Sequence, residues 1–284
     1  MNKVKETLRL YFPLIKSLQT ALLMTTGLAG YMSARCPVTT RPTMLGLALS
    51  LFLTISGSTI LNMWYDRDID AKMGRTAKRP LPAGKLTPNE VLRVGLIVSI
   101  IGVAIAVAMD PLYGLLIFGG LFIDVVVYTI WLKRKTAWSI VWGGISGGMP
   151  ILAGRALGIG RIDWVGVVLL LAILFWIPTH ILTFSMRYYD DYKNAGIPTF
   201  PSTYGFHFTR VTIAVSSVIA ALMIGLAAYG IGATWGYLRL MAVLSAGLLT
   251  LAIASVVKPS ETVNFGLFKY ASLYMLSAML LLML

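Results

Sequence analysis

Hydrophobic residues in this 284-residue chain come in long runs rather than in alternation with polar ones. A helix needs about 20 mostly apolar residues to cross a bilayer core. Nine such runs are present, roughly Tyr11–Ala34, Thr43–Tyr65, Asn89–Met109, Pro111–Leu132, Trp138–Gly158, Trp164–Arg187, His207–Gly230, Trp235–Val257 and Thr262–Leu284. Period-two alternation is missing, which argues against a transmembrane barrel. The pattern predicts an all-α fold, a polytopic membrane bundle of about nine transmembrane helices. Most polar gaps are a few residues long. Two are not, 66–88 and 188–206, and long connections in a compact bundle are usually functional. They follow the second and sixth runs, so they emerge on one face. They also hold five of the eleven acidic residues.

Composition supports this picture. The chain is 57% hydrophobic and 12% charged, with a mean hydropathy of +0.80, whereas a soluble domain is about a quarter charged. Residues 1–284 therefore read as a single membrane-embedded domain. Cys36 is the only cysteine, so disulfide and cysteine-metal readings fail. No small-residue cleavage site follows the first apolar run, which reads as a span that stays. The net charge of +13 fits the positive-inside bias and anionic lipid headgroups rather than nucleic acid. Nineteen Lys and Arg residues fall on the N-terminal side, against Arg35, Arg41, Arg155, Arg161 and Arg239 on the other. That split predicts a cytoplasmic N-terminus, an outer C-terminus and both acidic segments facing the cytoplasm.

If the second span continues as a helix, Asn62, Asp66 and Asp70 recur every four residues and share one face; Asp68 points to the opposite side. Two carboxylates and an amide oxygen are hard ligands that suit Mg²⁺, and no His or Cys accompanies them to suggest zinc. Lys72, Arg75, Lys78 and Arg79 follow at once. Cations beside metal-binding carboxylates make sense around a polyanion such as a diphosphate. In the second segment a continuing helix would align His180, Arg187 and Asp191, with Asp190 nearby and Lys193 as a further cation.

Other polar positions admit two readings each. Asp124 lies within the fourth span, either lining a cavity or bonded to a neighbouring helix. Tyr128 and Lys133 sit where they could reach a phosphate, while Lys133–Arg134–Lys135 as a group reads as an orientation signal. His180 is a helix–helix hydrogen-bond partner or a substrate-side group. Arg155 reads as a snorkelling side chain. Gly143–Gly144, Gly147–Gly148 and Gly154 suit close helix packing or a face for a flat ligand. A metal-diphosphate site opening into an apolar bundle fits loss of diphosphate from an allylic isoprenoid, its cation shielded from water.

The string NMWYDRDID at 62–70 resembles the first aspartate-rich motif of the UbiA superfamily of intramembrane prenyltransferases. DRDIDAKMGRTAKRPLPAG is similar to its protoheme IX farnesyltransferase, or heme O synthase, branch. YTIWLKRKT with IVWGGISGGMPILAG, and PTHILTFSMRYYDDYKNAGIPTFP, resemble the same branch. The resemblance runs from about Asn62 to Pro201. It implies nine helices around a central cavity, with Mg²⁺ holding the donor. The donor would be farnesyl diphosphate and the acceptor heme b, giving heme O for terminal oxidases. By the same resemblance Asn62, Asp66, Asp70 and Asp190 or Asp191 would bind metal-diphosphate. Arg75, Arg79, Lys133 and Arg187 would neutralise phosphate charge, and His180 would sit near the acceptor. It leaves room for a transient partner in heme delivery or oxidase assembly. Departures from the branch pattern fall at Pro178–Leu182, at Thr199–Pro201 and at Asp124, in or near the acceptor region. The alternatives are a sister enzyme prenylating a quinone-precursor ring or a chlorin, and a non-catalytic lipid-binding or transport protein.

Overall fold

The structure, a computed structural model, describes residues 9–34 and 39–283. Lys3, Lys5, Arg35, Cys36 and Leu284, used above in the charge, cysteine and span readings, lie outside the described residues. A 3₁₀ turn, Phe12–Ile15, leads into α1 (Ser17–Met32), α2 (Arg41–Tyr65), a single-turn α3 (Arg67–Asp70) and α4 (Pro88–Met109). Next comes α5 (Pro111–Phe122), which continues as a π-helix (Ile123–Leu132), then α6 (Ser139–Ile159), α7 (Trp164–Arg187) and a short α8 (Tyr189–Asn194). The last three helices are α9 (Phe200–Ile231), α10 (Trp235–Val257) and α11 (Glu261–Leu282). No strand is present among the described residues.

Local chemistry sets the helix starts. Thr87 and Glu90 form a reciprocal capping box on α4, satisfying amides that would otherwise be unpaired. Asp110 and Asp163 cap α5 and α7 through the Tyr113 and Gly166 amides, both at 2.8 Å. Among the described residues seven helices are long and apolar enough to cross a membrane: α2, α4, α5 with its π continuation, α7, α9, α10 and α11. Helices also occupy the two other expected runs. However, α1 has only 16 residues, and glycines and Arg155 dilute the apolar character of α6. Seven of the nine expected spans thus meet this criterion of length and composition among the described residues.

Two expected boundaries are corrected. The first run does not form one helix from Tyr11, because Lys16 takes a left-handed conformation (φ 44°, ψ 60°) that separates the 3₁₀ turn from α1. The seventh helix opens at Phe200 rather than His207, with Thr199 and Ser202 capping it and a glycine break at Gly205 (φ 83°).

Two cores share α1 and α6. One gathers Leu47, Leu51, Ala106, Tyr113 and Ile117 against Tyr31, Leu152 and Ala153. The other gathers Leu169, Ile173, Ile224, Leu248 and Tyr274 around Ala29 and Ile151. Glycine allows α1 and α6 to touch. A Cβ on Gly30 would sit 2.1 Å from the Ile151 carbonyl oxygen, and one on Gly154 would sit 2.0 Å from that of Gly27. The glycine-rich stretch of α6 is therefore packing surface. Outward faces are apolar, as with Leu96, Ile97, Ile100 and Ile101 on α4.

Candidate active site

The site grows from the end of α2. That helix stops at Tyr65, and Asp66 (φ −85°, ψ 7°) joins it to the turn of α3. The four-residue rhythm survives the break: the Asp66 amide donates to Asn62 O at 2.9 Å, and the Asp70 amide to Asp66 O at 2.8 Å. Asp66 and Asp70 are buried, 4% and 6% exposed, which a carboxylate tolerates only with partners. Lys133 donates to Asp66 Oδ2. Arg79 Nη1 donates to Asp70 Oδ2 at 2.7 Å. Asp68 faces away, as its position two residues on predicts, and Arg134 grips both its oxygens at 2.8 and 2.7 Å. That guanidinium holds the Asp68 carboxyl below the usual carboxylate range.

Behind this pair lies a second tier. Asp124, on the π-helix, accepts from Ser58 Oγ and from Asn62 Nδ2, the latter at 2.8 Å. Asn62 Oδ1 accepts from Thr129 at 2.8 Å. Of its two readings, Asp124 takes the neighbouring-helix one, and it fixes which way the Asn62 amide points. The π-helix makes this possible. Its bonds span five residues, as from the Lys133 amide to Tyr128 O at 2.8 Å, so residues five apart face the same way. Asp124 with Thr129, and Tyr128 with Lys133, are such pairs. Burial works against the Lys133 charge; the Asp66 carboxylate, bonded to it, outweighs burial and holds the ammonium above its usual range. The basic triplet is more than an orientation signal, since Lys133 and Arg134 engage the motif's carboxylates.

The second segment is placed differently from expectation. α7 ends at Arg187 and the backbone turns at Tyr188 (φ −108°, ψ 35°) before α8. The helix does not continue, so His180, Arg187 and Asp191 share no single face. Asp191 still reaches the first loop, accepting from the Gly74 amide at 3.2 Å, and Ile69 and Met73 pack with Ala195, Ile197 and Tyr192. Asp190 and Lys72 are exposed, and Lys193 lies over the Tyr189 ring. Arg75 stacks on Phe184 and Tyr188 instead of facing the carboxylates, and Arg187 covers Phe265 at 3.9 Å. His180 accepts or donates at 3.1 Å with Ser272 and stacks on Phe268 and Trp176. Arg155, read above as snorkelling, is instead buried. It forks onto Asp163 with two 2.8 Å bonds and donates to the Ser33 carbonyl and hydroxyl.

Sequence reasoning passed over Lys16 as a site residue. Its ammonium lies within electrostatic range of Arg79, Lys133, Asp124 and Asp70. The signal was a lysine set within an otherwise apolar run.

A metal fits here in one way. Among the described residues no three His, Cys, Asp or Glu side chains gather to hold an ion by themselves. Asp66 Oδ1, however, is buried without a hydrogen-bond donor, its nearest cation being Arg134 at 3.7 Å, and Asp70 is the second buried carboxylate of the same motif. Mg²⁺ favours this kind of partial site, one or two carboxylates completed by water and substrate phosphates.

Comparison with known proteins agrees with the geometry. The UbiA prenyltransferase family matches residues 22–277. The chain is similar to a protein of Archaeoglobus fulgidus named protoheme IX farnesyltransferase, 42% identical over 219 residues, covering 77% of this chain and 76% of that one. In fold it is similar to a structure described as digeranylgeranylglyceryl phosphate synthase in membranes, with a TM-score of 0.79, 20% identity and 98% of each chain covered. It is also similar to a UbiA homolog from Archaeoglobus fulgidus bound to DMAPP and Mg²⁺, with a TM-score of 0.70, 17% identity and 96% and 99% covered.

Proposed function

The chain belongs to the UbiA prenyltransferase family, and on that premise we propose that it transfers a farnesyl group from farnesyl diphosphate to a vinyl group of protoheme IX. The product is heme O. The buried pair Asp66 and Asp70, with the orphaned Asp66 Oδ1, carries this reading. It sits at the polar end of an apolar bundle, where a diphosphate can stay at the interface while its isoprenoid tail enters the membrane.

Mg²⁺, when bound, neutralises the departing diphosphate as a Lewis acid. Asn62, Asp66 and Asp70 would hold it, with Asp191 closing the site from the second loop. Lys133 and Arg79, now on the two carboxylates, are placed to take phosphate charge as the donor arrives, and Lys16 adds a third cation. The apolar interior keeps water from the allylic carbon until the acceptor is in place. A carbon–carbon bond then forms to the vinyl group as the carbon–oxygen bond to diphosphate breaks. One water supplies the hydroxyl and releases a proton.

The reading includes the setting. Residues 1–284 form one domain of a cell-membrane protein, with α1 and α6 counted in the crossing bundle. The nineteen-to-five division of Lys and Arg supports a cytoplasmic N-terminus and a cytoplasm-facing site. A transient partner for heme delivery or oxidase assembly is compatible with it. The test is incubation of membranes carrying the protein with heme b and farnesyl diphosphate, followed by mass spectrometry of extracted hemes. A farnesylated heme is expected. Prenylation of a hydroxybenzoate without any heme O would overturn the acceptor.

A further inference from the structure

We propose that the hollow between the cytoplasmic ends of α7 and α11 is an acceptor subsite that holds the carboxylate edge of protoheme IX. The inference rests on the farnesyl-to-heme reading above and says where on this chain the acceptor docks. The hollow is a small, partly open cleft of about 30 Å³, and its walls include Phe184, Arg187, Tyr188, Asn264, Phe265 and Phe268. A cleft of that size takes a carboxylate group from the edge of a porphyrin, leaving the ring itself to lie along the bundle.

Three observations point to such a ligand. The first is charge. Arg187 and Lys269 lie over the Phe265 ring at 3.9 and 4.5 Å, and Arg75 lies over Phe184 and Tyr188 at 4.9 and 5.4 Å. None of the three makes an ion pair among the described residues, unlike Arg79 and Lys133 at the donor carboxylates. The second is an orphan. Asn264 is 8% exposed, its Nδ2 donates to Thr183 O at 3.0 Å, and its Oδ1 has no donor. A buried acceptor left unpaired is costly, and a water held between it and the ligand carboxylate would satisfy it.

The third is shape. Flat rings continue from the hollow into the span: Phe265 stacks on Phe268, Phe268 on His180 at 4.5 Å, and His180 on Trp176 at 5.2 Å. Trp176 lies about 16 Å along α7 from Arg187, at 1.5 Å rise per residue. One wall thus carries cations at the interface and a column of aromatic rings beneath. Protoheme has the matching polarity, two propionates on one edge and vinyl groups elsewhere on a conjugated ring.

The test uses the full-length protein in lipid nanodiscs. It is titrated with heme b and with heme b dimethyl ester, following the Soret band, and separately with farnesyl S-thiolodiphosphate and Mg²⁺. Esterification should weaken binding to the unaltered protein about tenfold, the size of one charge-assisted hydrogen bond. Arg187→Gln should weaken heme b by a similar factor and leave the ester and the thiolodiphosphate where they were. Lys269→Gln, on an exposed side chain, should act in the same direction to a smaller extent, which covers a misfolded Arg187 variant. Equal binding of heme b and its ester by the unaltered protein would overturn the subsite. So would equal losses of both ligands in the variants, or an Arg187→Gln defect confined to the thiolodiphosphate. The reaction is judged separately. Ester discrimination with no heme O formed would sink the reaction and support the subsite, and the converse result would do the reverse.

Discussion

Replacing Lys133 by Met tests the donor site through its best-buried ion pair. The Asp66 side chain is 6% exposed and that of Lys133 21%. Removing one member of a buried pair costs about 3–5 kcal/mol, because the other charge is left uncompensated. Arg134, 3.7 Å from Asp66 Oδ1, and the partial exposure of Lys133 put the loss near the lower bound, about 3 kcal/mol. For a chain of this size that lowers the melting temperature by about 6 °C. Metal changes the comparison. In the unaltered protein Mg²⁺ must displace the ammonium from Asp66, whereas in Lys133→Met it meets an empty carboxylate. Added Mg²⁺ should therefore recover about half the lost stability, some 3 °C more than it adds to the unaltered protein. Lys133→Arg keeps the cation and should behave like the unaltered protein. The assay is thermal unfolding by intrinsic fluorescence in detergent, with and without Mg²⁺. Unchanged melting without metal, or a Mg²⁺ response no larger than that of the unaltered protein, would refute the pairing argument.

Asp66→Asn and Asp70→Asn should each lower heme O formation by about 100-fold or more, measured on membranes by mass spectrometry; residual turnover within tenfold of normal would remove these groups from the donor site. Asp124→Asn should raise the Mg²⁺ concentration for half-maximal rate by about five- to tenfold, since Asn62 loses a charged acceptor. The same change in an Asn62→Ala background should do nothing further, and additive losses would show that Asp124 does not act through Asn62. Arg155→Gln, at the far end of α6, should cost about 3 kcal/mol of stability by leaving Asp163 unpaired. Its KM values at low temperature should match those of the unaltered protein, and a shifted KM would contradict the separation of this pair from the site.

The helices were legible because each buries apolar side chains against lipid or neighbours along its whole length, as α4 does from Val91 to Ala106. The first acidic motif was legible for a related reason. Four-residue spacing survives the small break at Asp66, so a periodic argument held for Asn62, Asp66 and Asp70. It failed at Tyr188, where a backbone turn that no proline or glycine announces takes Asp191 off the line of His180 and Arg187. Arg155 was misread because one cation in a span gives no hint of its partner, and Asp163 lies beyond the end of the same helix. Asp124 looked isolated for the opposite reason. Its partners Ser58 and Asn62 are more than sixty residues away, on a helix whose facing side only packing decides.

Ile123–Leu132 winds with five-residue bonds, so its length is a counted spacer. In an ordinary α-helix Tyr128 and Lys133 would lie about 140° apart around the axis, and so would Asp124 and Thr129. A one-residue deletion there would leave hydrophobicity and span length nearly untouched. It would nonetheless swing Lys133 off Asp66 by about 100° and strand the Asn62 amide. Apolar exchanges on the lipid side, at Val126 or Ile130, carry no such penalty. The segment is free in its spelling and fixed in its arithmetic, so insertions and deletions, more than substitutions, should mark the border between working and silent versions of this site.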